Sequence, residues 1–351
     1  MTIPFHVKDS IYEIRSDLAT ALVAAKEDGR RVVGTLCSYS PVELALAAGA
    51  IPVSLCGTTQ EGIAKAEETL PVDLCPKVKS TYGRAVSGAC PIFPLADCII
   101  AEATCDGRKK MYELLAREKP LLVMDLPQKS EDPDALPHWV AEVEKSRRFI
   151  EQQLKVTITE DALRDAIRKW NQVRRLRRDL HYRRNALPTP IMGVDFVNIM
   201  TKLENFVDVD AHIAALTRFR DELDRAIGEK TAACGDDRPR VLWTGLGASL
   251  GCNKVMELVE SCGAVVVCQE GCGGLTRVED LVDEDEAKDP ILAIAERYLR
   301  VTCACMTPNT QRFTDLQRLI GEFEVDGVLD LTWQFCARAK VGFLLSSRQS
   351  G

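Results

Sequence analysis

An α/β protein built on parallel sheets is predicted by three features of this 351-residue sequence. Short apolar runs of strand length alternate with segments of helical period over residues 1–136, and the same alternation returns over residues 238–351. Between them, residues 137–237 carry long amphipathic helical patterns and no strand signal. The expectation is two facing Rossmann-like units, an N-terminal one (1–136) and a C-terminal one (238–351), joined by a helical connecting region (137–237).

Each element has a local reason. "SIYEIRSDLATALVAAKEDG" repeats its apolar positions at helical spacing and stops at a glycine, and "RRVVGTL" then reads as a buried strand. "SPVELALAAG" offers Ser40 as N-cap, Pro41 as first helical residue and Glu43 as capping-box partner. "IPVSL", "CIIAEAT" and "PLLVMDLP" follow as strands separated by helical pattern. In the middle region, "ITEDALRDAIRKWNQVRRLRRDLHYRR" has a basic face, which reads as solvated or salt-bridged rather than as a docking surface. Strands resume at "RVLWTG", "AVVVCQE" and "DGVLDLTW". The glycines Gly245, Gly247 and Gly251 after "RVLWT" depart from dinucleotide-binding spacing, and Glu270 is only a loose match for a ribose-binding acid. A tight turn with close helix packing accounts for those glycines.

Composition excludes several classes. A net charge of −7 argues against nucleic acid as the main partner. No run of roughly 18 or more apolar residues exists to span a membrane, and the start lacks a signal-peptide pattern, so a cytoplasmic protein is expected. In such a reducing compartment fourteen cysteines call for an explanation other than disulfides. Cys98, Cys234, Cys252, Cys262 and Cys268 fit as small apolar residues.

The others fall where α/β sheets bind ligands, beyond the carboxyl ends of strands. Cys37 follows the first strand, Cys105 follows "CIIAEAT" just before Asp106, a candidate N-cap, and Cys272 and Cys336 follow strands of the second unit. Cys75 precedes a proline suited to the first helical position, and Cys303 and Cys305 lie just ahead of a helix start at Thr307 and Pro308. Thiolates near helix N-termini are stabilised by the dipole and by free N–H groups, and those groups can also bond to cluster sulfides. The paired C-x2-C spacing of zinc sites is absent. Wide separation of soft ligands is compatible with a cluster assembled across domains and equally with simple burial.

The segments "GTLCSYSPVELALAAGAIPVSLCG", "LCPKVKSTYG", "CPIFPLADCIIAEATCDGRKKMYELL", "TCACMTPNTQR" and "VDGVLDLTWQFC" together resemble the 2-hydroxyacyl-CoA dehydratase and benzoyl-CoA reductase superfamily, most of all its double-cubane-cluster anaerobic reductases. The resemblance implies an iron–sulfur cluster held between two domains and reduced by a separate ATP-hydrolysing iron–sulfur activator protein. It implies Cys75, Cys105 and Cys336 as ligands of one 4Fe-4S cubane. Cys90, Cys272, Cys303 and Cys305 are candidates for a second, while Cys37 and Cys56 fit packing roles. It further implies a small unsaturated substrate and a homodimer. Ser38 and Glu43, beside the first strand mouth, are candidate proton donors. Other readings within reach are a 2-hydroxyacyl-CoA dehydratase subunit with a single 4Fe-4S cluster and a non-catalytic cluster carrier or inactive shortened homologue. The last of these arises because "ARAKVGFLLSSRQSG" after Cys336 differs from the family continuation.

Overall fold

A computed structural model gives the fold and describes residues 18–249 and 251–341. The first predicted strand forms β1 (Val32–Leu36), buried at every position because it is covered on both faces. It pairs in parallel with β2 (Ile51–Ser54) on one side and β3 (Cys98–Glu102) on the other, and β3 pairs with β4 (Leu121–Met124). The order β2–β1–β3–β4 makes the connections diverge between β1 and β3, so a crevice opens beyond their carboxyl ends. A second parallel sheet, ordered β6–β5–β7, consists of β5 (Arg240–Gly245), β6 (Val265–Gln269) and β7 (Gly327–Leu331). Here the central β5 marks the divergence. These two sheets, with helices between them, are the α/β architecture expected from the alternation.

The first unit adds helices α1 (Leu18–Glu27), α2 (Val42–Ala47), α3 (Ile63–Ala66), α4 (Pro76–Val86) and α5 (Asp106–Leu115). The part of the first predicted helix before residue 18 lies outside the described residues. Gly83 permits α4 to rest on the turn before α3, since a Cβ there would stand 1.8 Å from the Gly62 carbonyl oxygen. The middle of the chain forms α6 (Ala135–Leu154), α7 (Glu160–Arg183), α8 (Gly193–Lys202) and α9 (Val209–Gly228); α10 (Asn253–Ser261) and α12 (Thr310–Glu322) pack on the second sheet, whereas α11 (Pro290–Leu299) packs into the core of the first sheet with Val33, Ile100 and Trp139. Among the described residues no helix is long and apolar enough to cross a membrane.

The basic face of α7 is a salt-bridged one. Arg175 pairs with Glu284, Arg177 with Glu204 and Arg183 with Asp224, while Arg164 donates to the Asp285 and Lys288 carbonyls. The helix thereby ties its own region to the segment before α11.

Three local expectations are corrected. The capping box at Ser40 and Glu43 does not form: Pro41 caps α2 without a side-chain bond, and the Ser40 hydroxyl turns inward to the Leu36 and Ile100 carbonyls. Asp106 is the first residue of α5, with Cys105 itself at the N-cap. The helix expected at Thr307 and Pro308 starts at Thr310, because the preceding backbone is committed elsewhere: the Thr307 N–H donates to the Gln128 carbonyl, and the Asn309 amide donates to the Cys303 carbonyl.

The helical region buries two histidines. His181 stands edge-on to Phe196 at 4.9 Å and His212 stacks on Phe206 at 4.4 Å. Burial holds His212 down to about 3 and His181 well below its ordinary value. Below the ordinary histidine value of 6.5 the unfolded chain binds protons that the native chain refuses, so stability falls as pH drops. The expected loss is about 1.4 kcal/mol per pH unit for each histidine. Urea unfolding between about pH 7 and about pH 5 checks this, and His212→Gln should flatten the slope by one histidine's share.

Candidate functional site

The carboxyl ends of both sheets open onto one cleft of about 750 Å³. Cys75 reaches it as the N-cap of α4, with Pro76 filling the first helical position, and Cys105 as the N-cap of α5. Cys336 arrives from the other sheet, beyond β7 and directly before the helical residues 337–341. The turn that delivers it holds Phe335 at φ 65, a left-handed conformation uncommon for a bulky residue. Residues 75 and 336 are distant in sequence, yet the Cys336 thiol donates a hydrogen bond to the Cys75 sulfur. That bond, with the N–H groups of Lys77 and Val78 at the start of α4, brings Cys75 down to about 6 against the opposing effect of burial. Cys336 moves upward in return.

A second group of sulfurs adjoins the first. Cys303 accepts hydrogen bonds from the Cys272 and Cys305 thiols, which lower it well below the usual thiol value and raise both donors. Cys305 also lines the large cleft, so one residue belongs to both groups. Cys272 and Cys303 line an adjoining pocket that shares Leu246, Ala304, Arg312 and Arg338 with the cleft.

Two guanidiniums stand among these thiols. Buried Arg108 donates to the Tyr112 hydroxyl at 3.3 Å and, against the effect of burial, its charge lowers the Cys56 thiol. Half-buried Arg338 donates to the Cys303 sulfur at 3.2 Å. Among the described residues neither has a carboxylate ion-pair partner. Buried charge normally finds an opposite one, so this arrangement suits an anionic occupant, as iron–sulfur clusters ligated by thiolates are. Among the described residues no three His, Cys, Asp or Glu side chains converge as tightly as a single ion requires. A cubane spreads its ligands over separate irons, so this donor set fits a cluster better than a lone cation.

The remaining sequence candidates scatter. Cys90 packs in a small apolar pocket with Leu36, Leu55, Phe93 and Leu115, apart from the other candidate ligands. Ser38 lines the pocket of Cys272 and Cys303. Glu43 is wholly buried, paired with Arg174 at 2.6 Å and accepting from the Tyr298 hydroxyl at 2.9 Å, and it is absent from the cleft wall. Cys37 has φ 77 and donates to Glu102, a buried carboxyl that burial lifts to about 8 against the pull of Arg108. Glu270, the loose match for a ribose-binding acid, is committed to Arg312 and Thr244.

Sequence reasoning missed three participants. Arg108 belongs to a basic turn that reads as exposed, but its spacing with Met111, Tyr112 and Leu115 places it on the buried stripe of α5, which was the available signal. Arg338 carries no comparable signal. Cys252, which fits the sequence as a small apolar residue, receives the Trp333 indole N–H at 3.0 Å and packs beside Cys75 and Cys336. Of the other cysteines of that kind, Cys98 and Cys268 are buried as expected, whereas Cys262 is exposed at the end of α10.

Known proteins share this arrangement of sequence. The family described as "2-hydroxyglutaryl-CoA dehydratase, D-component" matches residues 37–347. The chain is 36% identical over 332 residues, 93% of its length and 85% of the relative's, to "Putative dehydratase subunit YjiM" of Escherichia coli (strain K12). It is 22% identical over 326 residues to the (R)-phenyllactyl-CoA dehydratase beta subunit of Clostridium sporogenes, covering 89% of this chain and 80% of that one. A benzoyl-CoA reductase subunit of Thauera aromatica is 23% identical over 263 residues, 74% of this chain and 66% of its own. The chain therefore belongs to the 2-hydroxyglutaryl-CoA dehydratase D-component family, whose members typically carry iron–sulfur clusters.

Proposed function

We propose that the protein is an anaerobic iron–sulfur reductase of the double-cubane type, taking low-potential electrons from a separate ATP-hydrolysing iron–sulfur activator and reducing a small unsaturated substrate. The observation that carries this reading is the pair of adjoining thiol groups, Cys75, Cys105 and Cys336 on one side and Cys272, Cys303 and Cys305 on the other, with two guanidiniums on the cleft wall that have no carboxylate ion-pair partner among the described residues. Bound there, the cluster would supply one-electron chemistry at low potential.

The chain's own residues have separable tasks. The six cysteines would serve as thiolate ligands, and Arg108 and Arg338 would offset their negative charge. Leu246, Met306, Phe313 and Trp333 give the cleft apolar walls that limit water. Ser38, on the wall of the inner pocket, is the better placed of the two proton-donor candidates, while Glu43 acts through its ion pair as a structural element. Cys90 is a packing residue in this reading. The site would lie between an N-terminal unit (1–136) and a C-terminal unit (238–351), held by the connecting region (137–237), in a homodimer.

A second reading is favoured by the relatives described as dehydratase subunits: a 2-hydroxyacyl-CoA dehydratase component with one 4Fe-4S cluster and a partner subunit. Anaerobic iron and acid-labile sulfide analysis separates them. About eight irons per chain are expected for two cubanes and about four for one. A chain that stays colourless and silent in electron paramagnetic resonance after anaerobic reconstitution overturns both.

A further inference from the structure

A second cavity opens at the carboxyl ends of β1 and β2, across the β1 turn from the cysteine pocket. It has room of about 50 Å³, and its wall includes Arg174, Arg177, Arg277 and Arg297 with the hydroxyl-bearing Ser38 and Ser54. Its charges do not balance. Arg174 is matched by Glu43 at 2.6 Å, whereas Arg177 and Arg277 share the single carboxylate of Glu204. Against the penalty of burial, those two arginines hold Glu204 down to about 2, so it is ionised.

Arg297 has no carboxylate ion-pair partner among the described residues. It donates to the main-chain carbonyls of Asp280 and Arg277 and lies over the Tyr298 ring at 4.6 Å. Among the described residues four guanidiniums thus have two carboxylates within ion-pair distance. Burial and Arg174 pull Arg297 down only to about 10, which leaves it charged near neutrality. Asp280, whose carbonyl accepts from Arg297, adds a negative charge beyond ion-pair distance, and Glu102 behind the Ser40 hydroxyl is lifted to about 8 by burial and adds little. Cys37, also on the wall, is raised by burial and stays a neutral thiol.

Buried cations in excess of their counter-ions are costly, and a cavity of this size holds more than one water molecule. We propose that it binds one compact monoanion, a halide or a small carboxylate, between Arg177, Arg277 and Arg297. Apart from Glu204, which the arginines already hold, the remaining wall carries no further carboxylate and includes the Asn205 amide and the hydroxyls of Thr35, Ser38 and Ser40, so such an ion would gain charge-assisted hydrogen bonds without displacing an existing carboxylate. The three arginines bond to carboxylate and carbonyl oxygens, and Arg277 and Ser38 also line the pocket of Cys272 and Cys303, so this cavity and the candidate cluster site share a wall.

The test uses the 351-residue chain at constant ionic strength, replacing gluconate, too large to enter, first by bromide and then by formate. Bromide is expected to raise the melting temperature saturably by about 2–4 °C, and crystals grown with it should show an anomalous peak in the cavity. If formate raises it further, the carboxylate is the preferred ion. Arg277→Gln, at a half-buried site, should abolish the shift and the peak while the circular dichroism spectrum is retained. Equal melting in all three salts, a shift that survives Arg277→Gln, or a peak without a shift overturns the proposal. Should Arg277→Gln fail to fold, the bromide peak and the shift of the parent chain decide it.

Discussion

Cys303→Ser is expected to cut the iron bound per chain by about half, from roughly eight to roughly four, after anaerobic reconstitution. Cys303 is the centre of the inner group, accepting from Cys272, Cys305 and Arg338, so its loss removes the contact that holds the group together. Serine keeps the volume but is a far poorer soft-metal ligand than a thiolate. Cys336→Ser should cause a comparable loss through the outer group, since Cys336 bonds to Cys75. Cys90→Ser should bind as much iron as the parent, because Cys90 packs against Leu36 and Phe93 rather than other candidate ligands. Iron and sulfide assays on the three variants, with electron paramagnetic resonance of the reduced state, make the comparison. Full iron in Cys303→Ser would defeat the two-cubane assignment, and lost iron in Cys90→Ser would move the site.

Arg174→Met should destabilise the fold by about 3–5 kcal/mol. The substitution leaves the Glu43 carboxylate, wholly buried, with only the Tyr298 hydroxyl as a bonding partner among the described residues. The network also joins three distant segments, because Tyr298 accepts from the Val42 N–H while Arg174 donates to it. Tyr298→Phe, which keeps the ion pair, should cost only about 1 kcal/mol. Removing both charges in Arg174→Met with Glu43→Leu should recover much of the single-variant loss, since no unpaired charge remains. Denaturant unfolding measures all three. A small effect of Arg174→Met would show that Glu43 is solvated or neutral rather than dependent on its partner.

The legible part of this protein is the part written in short stretches of chain. Alternation of apolar and helical pattern located β1, β3 and β5 to within a few residues, because a strand covered on both faces is mostly apolar along its length. Cys75 and Cys105 could be placed at helix starts for the same reason: the proline after one and the end of the apolar run before the other are neighbours in sequence. Even Arg108 left a trace in the stripe of α5.

What sequence alone determined was therefore the two-sheet class and the presence of thiols at strand ends. Tertiary structure alone decided which thiols meet, that Cys303 is the hub and Cys90 stands apart, that Glu43 serves Arg174 rather than a helix cap, and that four arginines share two carboxylates. Those facts depend on contacts between residues beyond the reach of local pattern, from Glu204 with Arg177 to Glu43 with Arg174 and Cys75 with Cys336. Local propensity acts over a few residues, whereas the pairing of buried charges and sulfurs is set by how the two sheets close on each other, and that closure has no local sequence signature.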